Sequence, residues 1–173
     1  MSSEEKLDLN KLRDEVEREI ENDSHAKIAR ICRTVLASKP NELLWLRLLC
    51  CAMIHLAQTK PLLKFIETYS NKHQIYNALL FYKVYCLYLL KENENAKELI
   101  NKNMQQSSIK NKLSLEEQLA TQYLKYQIFY RLGQYQSALK ALTQIKDDQQ
   151  HENEVIVNKI STYIAMNESN KAI

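Results

Sequence analysis

One pattern returns along this chain at a nearly fixed interval, and it constrains the fold more than any single residue does. Its clearest copy is FYRLGQYQSAL, Phe129 to Leu139, where one apolar helical run ends at Leu132-Gly133 and another begins beyond Tyr135. With Ala138 as the anchor, the same register recurs at Ile28, Leu62, Ala96 and Ala172, in steps of 34, 34, 42 and 34 residues. Self-similarity at such a period is the mark of stacked repeats, each too small to bury its apolar face alone. Twelve residues before the anchors stand Val16, Cys50, Val84, Tyr126 and Ile160; six before stand Asn22, Leu56, Leu90, Leu132 and Met166. Four after stand Cys32, Ile66, Ile100 and Leu142. Spacings of three and four place such residues on one helix face. Each copy is therefore expected to be two helices packed together, with a small anchor where they cross.

Composition agrees with helix and disfavours sheet. One Gly and two Pro (Pro40, Pro61) leave little of the turn chemistry that repeated strand reversals need. The spacing predicts helices over 5–21, 24–38, 41–57, 60–71, 75–91, 94–104, 114–132, 135–147 and 152–166, with another starting near 169. Pro40 follows a helix that has already ended, and Pro61 sits in an opening turn where its missing N–H costs little. The extra eight residues of the 42-residue step fall in the polar stretch Asn101 to Lys112, read as a longer surface loop over 104–113. Ser114 and Glu117 form a capping box that restarts the helix. The expected fold is all-α: a right-handed α-solenoid of about 4.5 helical hairpins, near 5–40, 41–73, 75–104, 114–148 and 152–173, as one domain. Because the chain stops just inside the second helix of a fifth hairpin, it is expected to be the N-terminal part of a longer protein.

Several function classes are disfavoured. Net charge is +3, too weak a field to capture a polyanion by charge alone. Residues 4–23 hold nine acidic against four basic side chains, net −5, and read as the solvated face of a first helix. The opening MSSEEKLDLNKLRDEVERE lacks the apolar stretch of a secretory signal. The most apolar window, Leu43 to Ala57, is interrupted by Arg47 and too short to span a bilayer, so no membrane insertion is expected. Cys32, Cys50, Cys51 and Cys86 show no CxxC spacing and read as free thiols in a reducing, cytoplasmic setting. His25, His55, His73 and His151 lack ligand-pair spacing, and one Gly permits no phosphate-cradling loop. No catalytic residue, metal or cofactor is expected.

The 34-residue period with Leu-Gly-x-Tyr-x-x-Ala, Leu132 to Ala138, resembles the tetratricopeptide repeat family. Within it, Phe81–Ile100 (FYKVYCLYLLKENENAKELI) and Leu124–Leu139 (LKYQIFYRLGQYQSAL) look like the third and fourth hairpins of the 72-kilodalton subunits of signal recognition particles. NELLWLRLLCCAMIHLA fits their second hairpin at lower identity. The resemblance implies a ribonucleoprotein scaffold that serves co-translational targeting to the endoplasmic reticulum. In that family the N-terminal repeats hold a segment of a 68-kilodalton partner subunit. RNA is contacted by a Lys-rich region far downstream, so RNA is expected only indirectly or through such a region.

Geometry selects the docking face independently. In a right-handed solenoid, the stripe of each first helix not used inside the hairpin lines the concave side. It comprises Arg47, Cys51, Ile54 and His55; then Phe81, Tyr85, Tyr88 and Leu89; then Tyr123, Gln127, Tyr130 and Arg131. Tyrosine joins apolar area to a polar tip and suits partner surfaces. A partner helix or peptide is expected there, with Phe81, Tyr85, Tyr88, Tyr123 and Tyr130 as anchors and Arg131 as a rim contact. Tyr126 and Phe129 fall on the packing face instead. The Lys/Asn pair of a carboxylate clamp is missing: the matching positions are Arg47/Cys51, Phe81/Tyr85 and Tyr123/Gln127. Two other uses stay open: a generic tetratricopeptide adaptor (co-chaperone or assembly factor) for an apolar peptide, and a base-stacking RNA reader, for which the stripe carries few cations.

Overall fold

The computed structural model describes residues 8–104, 115–145 and 152–171. These form nine helices, and no strand occurs among them. They are α1 (Leu9–Glu21), α2 (His25–Ser38), α3 (Leu43–His55), α4 (Thr59–Glu67), α5 (His73–Leu89), α6 (Asn93–Met104), α7 (Leu115–Arg131), α8 (Tyr135–Thr143) and α9 (Glu152–Lys171). The expected loop over 104–113 lies almost wholly outside the described residues, as do Ser114 of the capping box, His151 and the anchor Ala172.

The turns repeat as closely as the sequence register does. Five residues before the anchors Ile28, Leu62, Ala96 and Ala138 stand Asp23, Ala57, Lys91 and Gly133, with φ of 55°, 55°, 63° and 67°. Each of these N–H groups donates to the carbonyl three residues back, at 3.0, 2.9, 3.1 and 3.0 Å. The next N–H donates to the carbonyl five back: Ser24 to Glu19, Gln58 to Met53, Glu92 to Leu87 and Gln134 to Phe129, at 2.8–2.9 Å. This double closure is the Schellman motif, which satisfies the orphan carbonyls of a helix end through one left-handed residue. Only the fourth copy uses glycine. Ala57 and Lys91 adopt the same conformation against a steric cost of about 1–2 kcal/mol each, offset by what the following helix buries.

The residues sort into two compact units, Met1–Cys86 and Leu87–Ile173, divided within α5. In the first, α2 packs on α1 and α3, and α4 on α3. The register positions Val16, Ile28, Cys32, Cys50, Leu62 and Ile66 are buried in one core with Trp45, Leu46 and Leu49. Complete burial of Leu62 and Ile66 contributes about 1.5–3 kcal/mol each. Polar ties join successive hairpins: the Tyr69 hydroxyl donates to the Pro40 carbonyl at 2.9 Å, and Lys72 Nζ to Asn41 Oδ1 at 2.8 Å. Lys83 on α5 bonds Glu67 of α4 and the Tyr76 hydroxyl.

In the second unit α7 packs on α6 and α8, and α9 on α8. Ala96, Ile100, Tyr126, Ala138 and Leu142 are buried, again at register positions. On α9 the buried Thr162 hydroxyl donates to the Asn158 carbonyl at 2.7 Å and lies 3.4 Å from the Tyr126 hydroxyl.

Three expectations need correction. α4 ends at Glu67, short of 71, because Thr68, Tyr69 and Ser70 turn inward on bonds to carbonyls three residues back, and Thr68 Oγ1 also donates to the Phe65 carbonyl at 2.7 Å. α8 likewise stops at Thr143, where Gln144 and Ile145 make the same shorter bonds. Most consequentially, the fifth hairpin expected over 152–173 is one helix through Lys171, with no break at 166–169. No Gly or Pro stands there, and the positive-φ residues do not include Asn167, five before Ala172. The register position Ile160 is 54 % exposed, whereas Val16, Cys50, Val84 and Tyr126 are all buried.

Candidate functional site

In the first unit, α3 and α5 carry the expected docking residues. None of Arg47, Cys51, Ile54, His55, Phe81 or Tyr85 is buried; Cys51 and His55 are exposed and the others partly so. The rings of Phe81 and Tyr85, one turn apart, stack at 6.3 Å with planes 13° apart, while Phe81 meets Tyr82 edge-on at 5.6 Å. Cys51 on α3 donates to the Tyr82 hydroxyl on α5 at 3.7 Å. Burial drives the Tyr82 phenol well above its ordinary pKa, and the neighbouring Cys51 adds to this, so Tyr82 stays a neutral hydrogen-bonding group. His55 stacks on His25 with centroids 3.9 Å apart, and His25 Nε2 lies 2.8 Å from Asp23 Oδ1. The result is a partly exposed aromatic surface on α5, tied to α3 through Cys51 and Tyr82.

In the second unit, Tyr88, Tyr123 and Tyr130 are partly buried, and Gln127 and Arg131 are exposed. Tyr126 and Phe129, one residue away from this stripe, are each 6 % exposed and lie in the core with Ala138, Ala141 and Leu142. Arg131 is already engaged: its guanidinium lies 3.6 Å above the Tyr88 ring centre, and Nη1 donates to the Tyr88 carbonyl at 3.0 Å. It positions Tyr88 as well as edging the surface. Tyr130 packs against Tyr126 at 5.8 Å and edge-on to Tyr135 at 5.5 Å. The Tyr123 hydroxyl is shielded from solvent rather than forming a wet rim.

Sequence reasoning passed over Tyr82 and Tyr135, which support these surfaces from positions outside the chosen stripe. It also passed over Gln122, 7 % exposed on α7, whose Oε1 has no hydrogen-bond partner among the described residues. The thiols divide cleanly. Cys32, Cys50 and Cys86 are buried, and burial pushes the first and last up to about 12; Cys51 is exposed. Among the described residues no three His, Cys, Asp or Glu side chains are grouped to hold a metal ion, and no helix is long and apolar enough to cross a membrane. No family model matches the chain, nor does any curated protein.

Proposed function

We propose that the chain is a protein-binding scaffold: a right-handed α-solenoid of tetratricopeptide type, with four hairpins and α9 as the first helix of a further half. The observation that carries this reading is the fourfold recurrence of one Schellman turn, at Asp23, Ala57, Lys91 and Gly133, on the sequence's own 34-34-42 spacing. A turn so repeated between packed helices is the construction unit of helical repeat proteins, whose exposed helix faces serve as binding surfaces. Partly exposed aromatics beside buried ones on the same helix, Tyr123 and Tyr130 against Tyr126 and Phe129, support a docking role for the former. The occupant we propose is an apolar helix or peptide.

The resemblance of Phe81–Ile100 and Leu124–Leu139 to signal recognition particle 72-kilodalton subunits supports one partner for this proposal: a segment of the 68-kilodalton subunit, bound in the cytoplasm and brought to the endoplasmic reticulum through the particle. Affinity capture from cells followed by mass spectrometry tests this. Recovery of signal recognition particle proteins and RNA supports it; recovery of a chaperone alone moves the reading to a generic adaptor. Tyr85→Ala and Tyr130→Ala should each weaken partner binding by about 2 kcal/mol, roughly 30-fold in Kd, with helicity unchanged. Wild-type affinity in both variants would remove these tyrosines from the interface.

A further inference from the structure

The charge of the first unit is sorted along the chain. Residues 4–23 carry net −5, whereas residues 24–66 hold Lys27, Arg30, Arg33, Lys39, Arg47, Lys60 and Lys64 against the single acid Glu42, net +6. The whole-chain value of +3 conceals this division. On α2, at about 100° per residue, Ala26, Lys27, Arg30, Arg33, Thr34 and Ala37 fall within one arc of roughly 120° centred on Arg30. All six are exposed. Lys60 and Lys64, one turn apart on α4, are exposed as well. Lys27 is tied to Glu19 of α1, and Glu67, the one acid on α2 or α4, is held by Lys83 of α5. Among the described residues Arg30, Arg33, Lys60 and Lys64 enter no ion pair.

Arg30 and Lys64 stand at one register position, each two residues after its anchor, Ile28 and Leu62. Successive copies of a stacked repeat present equivalent positions on the same side. In the solenoid proposed above, on which this step rests, the four cations therefore share the outer surface of the second helices, while the docking stripe lies on the first. What this surface lacks selects its occupant. Among the described residues, α2 and α4 expose no large apolar side chain. A protein interface is anchored by buried aromatic or aliphatic groups, and a helix lying on a membrane inserts an apolar face. Neither anchor is offered here. The bases of a single strand stack on aromatic rings, but Phe65, the one Phe, Tyr or Trp on either helix, packs edge-on against Tyr69. The phosphates of a duplex ask for cations alone.

We infer that the outer faces of α2 and α4 hold a double-stranded nucleic acid by its phosphates, through Arg30, Arg33, Lys60 and Lys64, without reading its sequence. Fluorescence anisotropy of the intact chain with a labelled DNA duplex of about 20 base pairs tests this. Four phosphate contacts give a slope of log K against log salt of about −3.6, a loss of roughly 150-fold between about 50 and 200 mM salt. Arg30→Gln with Arg33→Gln, or Lys60→Gln with Lys64→Gln, should each halve the slope to about −1.8, with circular dichroism unchanged. Lys11→Gln with Arg13→Gln removes the same charge from α1 and should leave the slope as it is. No binding up to about 100 μM chain, the weak end of ordinary non-specific affinity, overturns the inference and leaves the docking tyrosines to their own variants. An equal loss in the α1 control overturns it too, because then only net charge counts. Loss from the α2 pair with none from the α4 pair overturns the shared surface and the solenoid placement beneath it. Competition by polyglutamate as strong as by unlabelled duplex gives the surface to an acidic polypeptide instead, and binding to phosphatidylserine vesicles in place of the duplex gives it to a membrane.

Discussion

Set α7 beside α9. Both carry an apolar residue twelve before an anchor, and both read from sequence as first helices of a hairpin. In α7 that residue is Tyr126, 6 % exposed beneath α8; in α9 it is Ile160, 54 % exposed. α7 ends at Arg131 and reverses at the left-handed Gly133, whereas α9 continues through Asn167 to Lys171. Identical periodicity therefore specifies a face that can be buried, and the neighbour decides whether it is. An apolar stripe is an offer of contact. The turn is what delivers the partner.

The contrast between the two helices is widest at these paired positions. Tyr126→Ala should destabilise the second unit by about 3–5 kcal/mol, through lost transfer energy and a cavity that α8 and α9 cannot close. Ile160→Ala should change stability by less than about 0.5 kcal/mol where the chain is monomeric. Denaturant titration of the two variants reads both; equal costs would mean that Ile160 is covered in the monomer.

A smaller effect tests the turns. No atom lies within 4 Å of a side-chain carbon built at Gly133, so Gly133→Ala should cost about 1 kcal/mol from backbone conformation alone. Ala57→Gly, at the equivalent position with φ of 55°, should stabilise by about 0.5–1 kcal/mol. Opposite signs in thermal melts would show that the two turns are one device.

The smallest effect separates a charged tie from a neutral one. Burial works to lower the Lys83 pKa, but bonds to Glu67 and Tyr76 outweigh it and raise the group above 10.5. A raised amine contributes stability that is complete below 10.5 and lost as pH climbs through the folded value. The advantage of wild type over Lys83→Met, no more than about 1 kcal/mol for a pair whose Glu67 carboxylate is exposed, should vanish in strongly alkaline buffer. The Thr68 hydroxyl's bond to the Phe65 carbonyl contains no titratable group, so Thr68→Val should show no such drift over the same alkaline range.

How much of this was legible beforehand follows from what spacing encodes. The four anchors, the core positions four residues after them, and the split of Tyr126 and Phe129 from Tyr123 and Tyr130 were readable, because three-and-four periodicity maps directly onto helix faces. Helix ends were less so: α4 and α8 close on shorter backbone bonds that no residue type announces. The continuity of α9 was hidden because Asn167 and its neighbours permit either outcome. Along the stripe proposed for docking, partial exposure follows register, but the Arg131–Tyr88 stack and the Cys51–Tyr82 bond depend on side-chain reach rather than register.

The hairpin reversals have one more implication. They are fastened by main-chain atoms, and the residues opening α2, α4 and α8, Ser24, Gln58 and Gln134, contribute no side-chain cap bond. Natural selection on such a bend acts on its shape and hardly on its spelling. The unit can then differ letter by letter, as Asp, Ala, Lys and Gly do at one position, while its torsion angles stay alike.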